Sequence, residues 1–158
     1  MVRVLALGAL VVVLDQVTKT AILTYFAPGT HIDLVEGFVT LTLVMNPGLA
    51  FGLLGSVPSG WRWVVAFLSV AALVVLARVA LRVLPAGSRV DQVAIGLIFG
   101  GAVGNLIDRV RFGAVVDFVD LHAKGYHWPA FNAADSAISV GVALMAIRLL
   151  LRPSPNQA

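Results

Sequence analysis

Four stretches of this 158-residue chain are long and apolar enough to cross a lipid bilayer, and nothing else in it constrains the fold as strongly. A hydrocarbon core asks for about 20 apolar residues per helix. Stretches at about 2–26, 61–84, 89–109 and 135–151 meet or approach that length. Composition agrees, with 59% hydrophobic and only 12% charged residues, where a soluble domain carries about 25% charged. So few charges cannot cover a water-soluble fold of this size, which excludes a soluble enzyme. Nor is there a nucleic-acid module, because the excess of 11 basic over 8 acidic residues is spread along the chain instead of forming a patch. The chain reads as one integral membrane domain, 1–158, of the membrane all-α class. Its four transmembrane helices are joined by larger segments at 27–60 and 110–134.

Arg3 followed by an apolar run has the outline of a signal peptide. No small-x-small cleavage site follows, however, and the apolar pattern continues through Ile22 and Leu23, so a retained first helix is expected. Arg3, Arg78, Arg82, Arg89, Arg148 and Arg152 fall on one side of the four-span arrangement. The positive-inside rule makes that side cytoplasmic and places both termini there. Pro85, Ala86 and Gly87 form the cytoplasmic turn, and Ser88 with Asp91 has the spacing of a capping box for the third helix. Trp61, Trp63, Trp128, Tyr25 and Tyr126 then lie at the outer interface. In segment 31–44, Phe38, Thr40, Thr42 and Val44 alternate with Val39, Leu41 and Leu43, and Glu36-Gly37 supplies a turn. A short β-hairpin is predicted there. Segment 112–132 is mixed, and a short interfacial helix is predicted at 117–122.

Ionisable groups in or beside a membrane helix cost several kcal/mol unless paired or hydrated. Here they are Asp15, Lys19, Asp108, Arg109, Asp117 and Asp135, joined by the amides Asn46, Asn105 and Asn132. All fall in the outer half of the four-span arrangement, delivered by five separate segments. That convergence marks a site, although each residue also has a purely structural reading. Asp15 and Lys19, at i and i+4, suit an intrahelical ion pair. Arg109 lies on one face with Asn105 and could snorkel to the interface. Asn132 and Asp135 have the spacing of a helix cap and its third residue. Asp117 lies between Ala114-Val115-Val116 and Phe118-Val119, a setting that favours burial with a partner. Gly96, Gly100 and Gly104 recur every fourth residue and predict close helix packing.

The chain contains no cysteine and no Gly-x-Ser-x-Gly elbow, so neither thiolate nor elbow-serine chemistry is expected. Its histidines are His31, His122 and His127. Asp117, Asp120 and His122 lack any recognised metal-ligand spacing, so no metal and no cofactor is expected. Carboxylate chemistry remains. Two aspartates at one apolar-walled site share a proton, so one can take a proton from water while the other donates to a carbonyl. Asp117 and Asp135 are the natural pair.

Five motifs then occur in order. They are Asp15-Gln16-Val17-Thr18-Lys19, Asn46-Pro47-Gly48-Leu49-Ala50-Phe51-Gly52, Gly100-Gly101-Ala102-Val103-Gly104-Asn105-Leu106-Ile107-Asp108-Arg109, Val115-Val116-Asp117-Phe118 and Phe131-Asn132-Ala133-Ala134-Asp135-Ser136. Together they resemble the bacterial lipoprotein signal peptidases (signal peptidase II), a family of membrane aspartic proteases, over essentially the whole chain. The resemblance implies four membrane helices with a small extracytoplasmic β-element. It matches Asp117 and Asp135 to the catalytic aspartates, and Asp15, Lys19, Asn46, Asn105, Arg109 and Asn132 to the residues supporting them. It also implies a monomer in the bacterial cytoplasmic membrane, surrounded by lipid. The implied reaction is hydrolysis of prolipoproteins just before their diacylglyceryl-modified cysteine, inhibited by the cyclic peptide globomycin. Leu49 and Ala133 depart from the usual residues, and neither change removes a polar group.

The competing reading is a proton or ion relay, or a transporter subunit. A relay places charges at several depths, whereas the second helix has none between Arg62 and Arg78 and the other cytoplasmic halves are nearly pure hydrocarbon.

Overall fold

A computed structural model of the chain describes residues 1–48 and 62–151. Leu49, the rest of its motif through Gly52, and Trp61 lie outside the described residues. Among the described residues four helices are long and apolar enough to cross a membrane: α1 (Val2–Tyr25), α2 (Arg62–Val83), α3 (Arg89–Phe112) and α4 (Ala133–Leu150). A 3-10 turn at Leu84–Ala86 joins α2 to α3.

The burial pattern of α1 inverts that of a soluble helix. Its buried residues, Val4, Gly8, Val11, Asp15, Lys19 and Ile22, recur every three or four positions and form one stripe. The outward side chains, among them Leu10, Val13, Leu14 and Val17, are apolar as well. A helix in lipid has no reason to hide apolar groups, so it hides its polar ones and its glycines instead.

The centre of the bundle is α3, which packs against α1, α2 and α4. Its glycines set that packing. A Cβ on Gly100 would lie 2.6 Å from the carbonyl oxygen of Gly8, so α1 and α3 touch backbone to backbone. Gly101, on the neighbouring face, admits the carbonyl oxygen of Ala134 in the first turn of α4. Gly141 does the same for α4 against Ala94. The four-residue glycine repeat thus serves α1, while Gly101 and Gly141 serve α4.

The predicted hairpin is present as β1 (His31–Val35) and β2 (Val39–Asn46), with Gly37 at φ +75° in the turn and Val35 paired to Val39. The interfacial helix predicted at 117–122 is not formed. Those residues belong to a strand, β3 (Val115–Ala123), antiparallel to β2 with Asn46 opposite Val115 and Val39 opposite Leu121. The physical reason is pairing: β2 offers an open edge, and the β-branched Val115, Val116 and Val119 fit a pleated surface better than a helix. With the short β4 (Tyr126–His127) the sheet order is β1-β2-β3-β4.

Two junctions place this sheet over the bundle. Gly113, at φ 72°, ends α3 in the left-handed conformation and turns the chain directly into β3. Ile22 of α1 packs with Val116 and Phe118 of β3 and, around them, Leu41 and Leu43 of β2. Phe131 exchanges backbone hydrogen bonds with Val119 at 2.9 and 3.1 Å, which returns the chain to the start of α4. Both predicted caps are complete capping boxes: Ser88 with Asp91 opens α3, and Asn132 with Asp135 opens α4.

Candidate active site

At the sheet end of the bundle the buried charged and amide side chains form one connected network. It begins at Lys19, whose ammonium is 2.9 Å from Asp15 Oδ2 and 2.8 Å from Asp108 Oδ2 and donates to Asn105 Oδ1 at 2.9 Å. All three charged side chains are at most 2% exposed. A lysine buried this deeply needs every donor satisfied, and its three hydrogens find three oxygens.

The two carboxylates are also held from outside the triad. The backbone N–H of Ala134 donates to Asp15 Oδ1 at 3.0 Å, and that of Val116 donates to Asp108 Oδ2 at 3.1 Å. Gln16 Nε2 donates to Asp108 Oδ1 at 3.0 Å. The triad thereby fastens the start of α4 and the start of β3 to the core of the bundle. Gly104 makes room for it, since a Cβ there would lie 2.5 Å from Asp15 Oδ2.

Asn105 and Asn132 carry the network onward. Asn105 Nδ2 donates to Asp135 Oδ1 at 2.8 Å. Asn132 Nδ2 donates to Asp117 Oδ1 at 2.7 Å, and to Asn105 Oδ1 and the Val116 carbonyl at 3.2 Å each. Asn132 Oδ1 accepts the N–H of Asp135 at 2.9 Å. The cap of α4 is therefore also the bridge between the two aspartates. From the other side, Asn46 at the end of β2 donates from Nδ2 to Asp117 Oδ2 at 2.9 Å.

Arg109 does not snorkel away. Its Nη2 donates to the Gly48 carbonyl at 3.0 Å, and its Nη1 is 3.4 Å from the Asn105 carbonyl. Its Nε is buried with no hydrogen-bond partner among the described residues.

Asp117 and Asp135 open into the same cavity, of about 360 Å³, shared with Asn46, Asn105 and Arg109. The rest of its wall is mainly apolar, including Trp128, Phe131 and Ile138. Burial pushes Asp117 up to about 7. The hydrogen bonds from Asn46 and Asn132 pull it the other way, and the neighbouring charge of Asp135 adds to the rise. A carboxyl with that value is half protonated near neutral pH, the condition in which it both accepts and returns protons readily.

The structure brings all eight sequence-predicted residues together: Asp15, Lys19, Asn46, Asn105, Arg109, Asp117, Asn132 and Asp135. Two further members, Asp108 and Gln16, complete the lysine environment. Asp108 was legible as an acid three residues after Asn105 inside an apolar helix, and Gln16 only as the neighbour of Asp15.

Comparison with known proteins fits this geometry. Residues 7–151 match the model of peptidase family A8, signal peptidase (SPase) II. The chain is 44% identical over 148 residues to a lipoprotein signal peptidase of Ralstonia nicotianae, covering 94% of this chain and 84% of that one. It is 42% identical over 158 residues to a lipoprotein signal peptidase of Desulforapulum autotrophicum, covering 99% and 96%. Two bacterial membrane enzymes solved by the in meso method superpose with TM-scores of 0.79 and 0.78, at 34% and 36% identity. They cover 98% and 95% of this chain, and 93% and 94% of their own. The fold and these relatives define a membrane aspartic peptidase. The chain belongs to the signal peptidase II family.

Proposed function

We propose that this chain removes the signal peptide of diacylglyceryl-modified prolipoproteins, cutting just before the lipidated cysteine, with Asp117 and Asp135 as the catalytic pair. The observation that carries the assignment of roles is the bridge through Asn132, which ties aspartates from two different elements to one cavity. One carboxylate takes a proton from water as the oxygen attacks the scissile carbonyl, while the other carboxyl donates its proton to the carbonyl oxygen. Collapse of the tetrahedral intermediate breaks the C–N bond, with the new amine protonated from the pair. Asn46, Asn105 and Asn132 orient the carboxyls. Asp15 and Lys19 anchor the turn of α4 that carries Asp135, and Arg109 ties Gly48 to α3.

The substrate's signal peptide is itself a membrane helix, and its cleavage point lies where the bilayer meets water. A site at one end of a four-helix bundle, walled by apolar residues, suits that depth. In this reading the enzyme is a monomer in the cytoplasmic membrane of a bacterium, forming a single domain. Arg78, Arg82, Arg89 and Arg148 lie at its cytoplasmic end, both termini are cytoplasmic, and the site is at the outer face. The sheet and the segment leading from β4 to Phe131 clamp the lipid-bearing residue. A globomycin-type cyclic peptide would compete for the same cavity, and bilayer lipid surrounds it.

The test is cleavage of a synthetic diacylglyceryl-prolipoprotein peptide by the purified protein in lipid or detergent, with the product sites read by mass spectrometry. The expected outcome is a single cut before the modified cysteine, unaffected by chelator. It should slow by about a thousandfold in Asp117→Asn and in Asp135→Asn, each with an unchanged fold, as loss of a positioned acid or base does. Full activity in either variant would remove the pair from the mechanism.

A further inference from the structure

A second cluster of chemistry-bearing side chains lies on the outward end of β3 and on β4. Alternation along β3 puts Asp120 and His122 on one face of the strand and Asp117 on the other. The grouping that the linear sequence suggests, with Asp117, is therefore not the one the fold assembles. His127 takes its place, because β4 pairs with β3 so that His127 stands directly opposite His122. Lys124 and Gly125, both at positive φ, close the hairpin with the tight two-residue turn that fixes such a register.

One ligand-type atom from each of Asp120, His122 and His127 lies within 4.8 Å of the other two. His127 Nδ1 is 2.9 Å from Asp120 Oδ2. The two imidazoles lie nearly parallel, 20° apart, with ring centres 5.0 Å from each other. The contact between His127 and Asp120 is explained as a hydrogen bond. His122 is not explained that way: its Nδ1 is buried and has no hydrogen-bond partner among the described residues. His122 Nδ1 is thus a buried ring nitrogen, beside a carboxylate and a second imidazole, whose bonding capacity is unused among the described residues.

We propose that Asp120, His122 and His127 form a binding site for a divalent transition-metal ion of the zinc class. Two imidazole nitrogens and one carboxylate oxygen are a recurring three-ligand set for that ion, leaving a fourth position for water. Bonds of about 2.0–2.2 Å separate the ligands of a tetrahedral zinc by about 3.5 Å. Small side-chain rotations bring the three atoms from their present spacing to that one. The ion displaces the proton shared by Asp120 and His127 and takes the free nitrogen of His122. It takes no part in the carboxylate chemistry. It pins the hairpin whose inner residues, Leu121 and Trp128, wall the substrate cavity and are joined by the Trp128 N–H donating to the Leu121 carbonyl at 2.7 Å.

The experiment uses the full chain without a polyhistidine tag, purified in detergent and stripped with chelator. Zinc chloride is added with calorimetric and melting readouts, and cobalt chloride with visible absorption. The expected result is one zinc per chain, a raised melting temperature, and the absorption bands of a low-coordinate cobalt site. Magnesium should reproduce none of these. All three signals should be lost in His122→Ala, in His127→Ala and in Asp120→Asn, and kept in His31→Ala. His127 is 59% exposed, so its replacement leaves the fold intact, and the melting temperature and circular dichroism in chelator should match the wild type. Absence of saturable zinc binding, or binding that survives His127→Ala, would overturn the site.

Discussion

The two ends of the helix bundle are built on opposite principles. At the sheet end, α1, α3 and α4 meet around buried charges and amides that leave few polar atoms unbonded. At the far end the same helices meet through Gly8, Gly96 and Gly141, and α2 joins them through the apolar cluster of Val4, Ala80 and Ile95. An ion pair there joins Arg148 to Asp91 at 2.6 Å, with the arginine side chain 32% exposed. At the far end glycine contact and hydrocarbon do most of the assembly. The buried charges at the sheet end carry a desolvation cost that the far end largely avoids, offset by their pairing.

The largest stability effect should come from Lys19→Met. It leaves Asp15 and Asp108 buried without their cation, a change that costs about 3–5 kcal/mol in comparable settings. A melting experiment in detergent should show it, and cleavage should fall with it because Ala134 loses its anchor. Gly101→Ala comes next, at about 1–3 kcal/mol, since the new Cβ meets the backbone of Ala134, one residue before Asp135. Gly141→Ala meets Ala94 and Ile98 at the far end and should cost a similar amount. The comparison sharpens in activity: the Gly101 variant should lose turnover, and the Gly141 variant should keep it once folded.

A smaller effect is expected with pH. Burial raises Asp117 from the ordinary 3.8 to about 7. The folded state therefore prefers the protonated form, and that preference contributes stability that is complete below about pH 4 and lost as pH rises through 7. The melting temperature of the wild type relative to Asp117→Asn should fall across that window and level off above it. Smallest of all is Arg148→Ala. Its partly exposed ion pair is worth about 1 kcal/mol or less, and cleavage should be unchanged.

Much of this arrangement was legible in the sequence where spacing carries a local meaning. Asp15 with Lys19, Ser88 with Asp91, Asn132 with Asp135 and the alternation of 38–44 each encode a contact within a few residues. Segment 117–122 misled because both of its faces mix apolar and charged residues. Val119 shares a face with Asp117, and Phe118 shares one with Asp120 and His122, so the two-residue period cancels. What makes it a strand is the edge of β2, 73 residues earlier by the register of Val44 with Asp117. The partners of Asp108 and Arg109 on other elements were not legible, because a membrane helix is apolar on lipid-facing and packed sides alike and hydropathy is indifferent to its rotation. The same indifference hid the separate role of Gly101. In water the apolar face would have revealed the rotation of the helix; in a membrane only the polar residues do.

The most direct test of the account is the cleavage rate of the double variant Asp117→Asn/Asp135→Asn beside each single one. Groups that act as one unit are grossly non-additive. The double variant should be no slower than the slower single variant, all three sitting about a thousandfold below the wild type. Losses that multiply would contradict it, because two aspartates contributing independently are not a pair sharing one proton at one site.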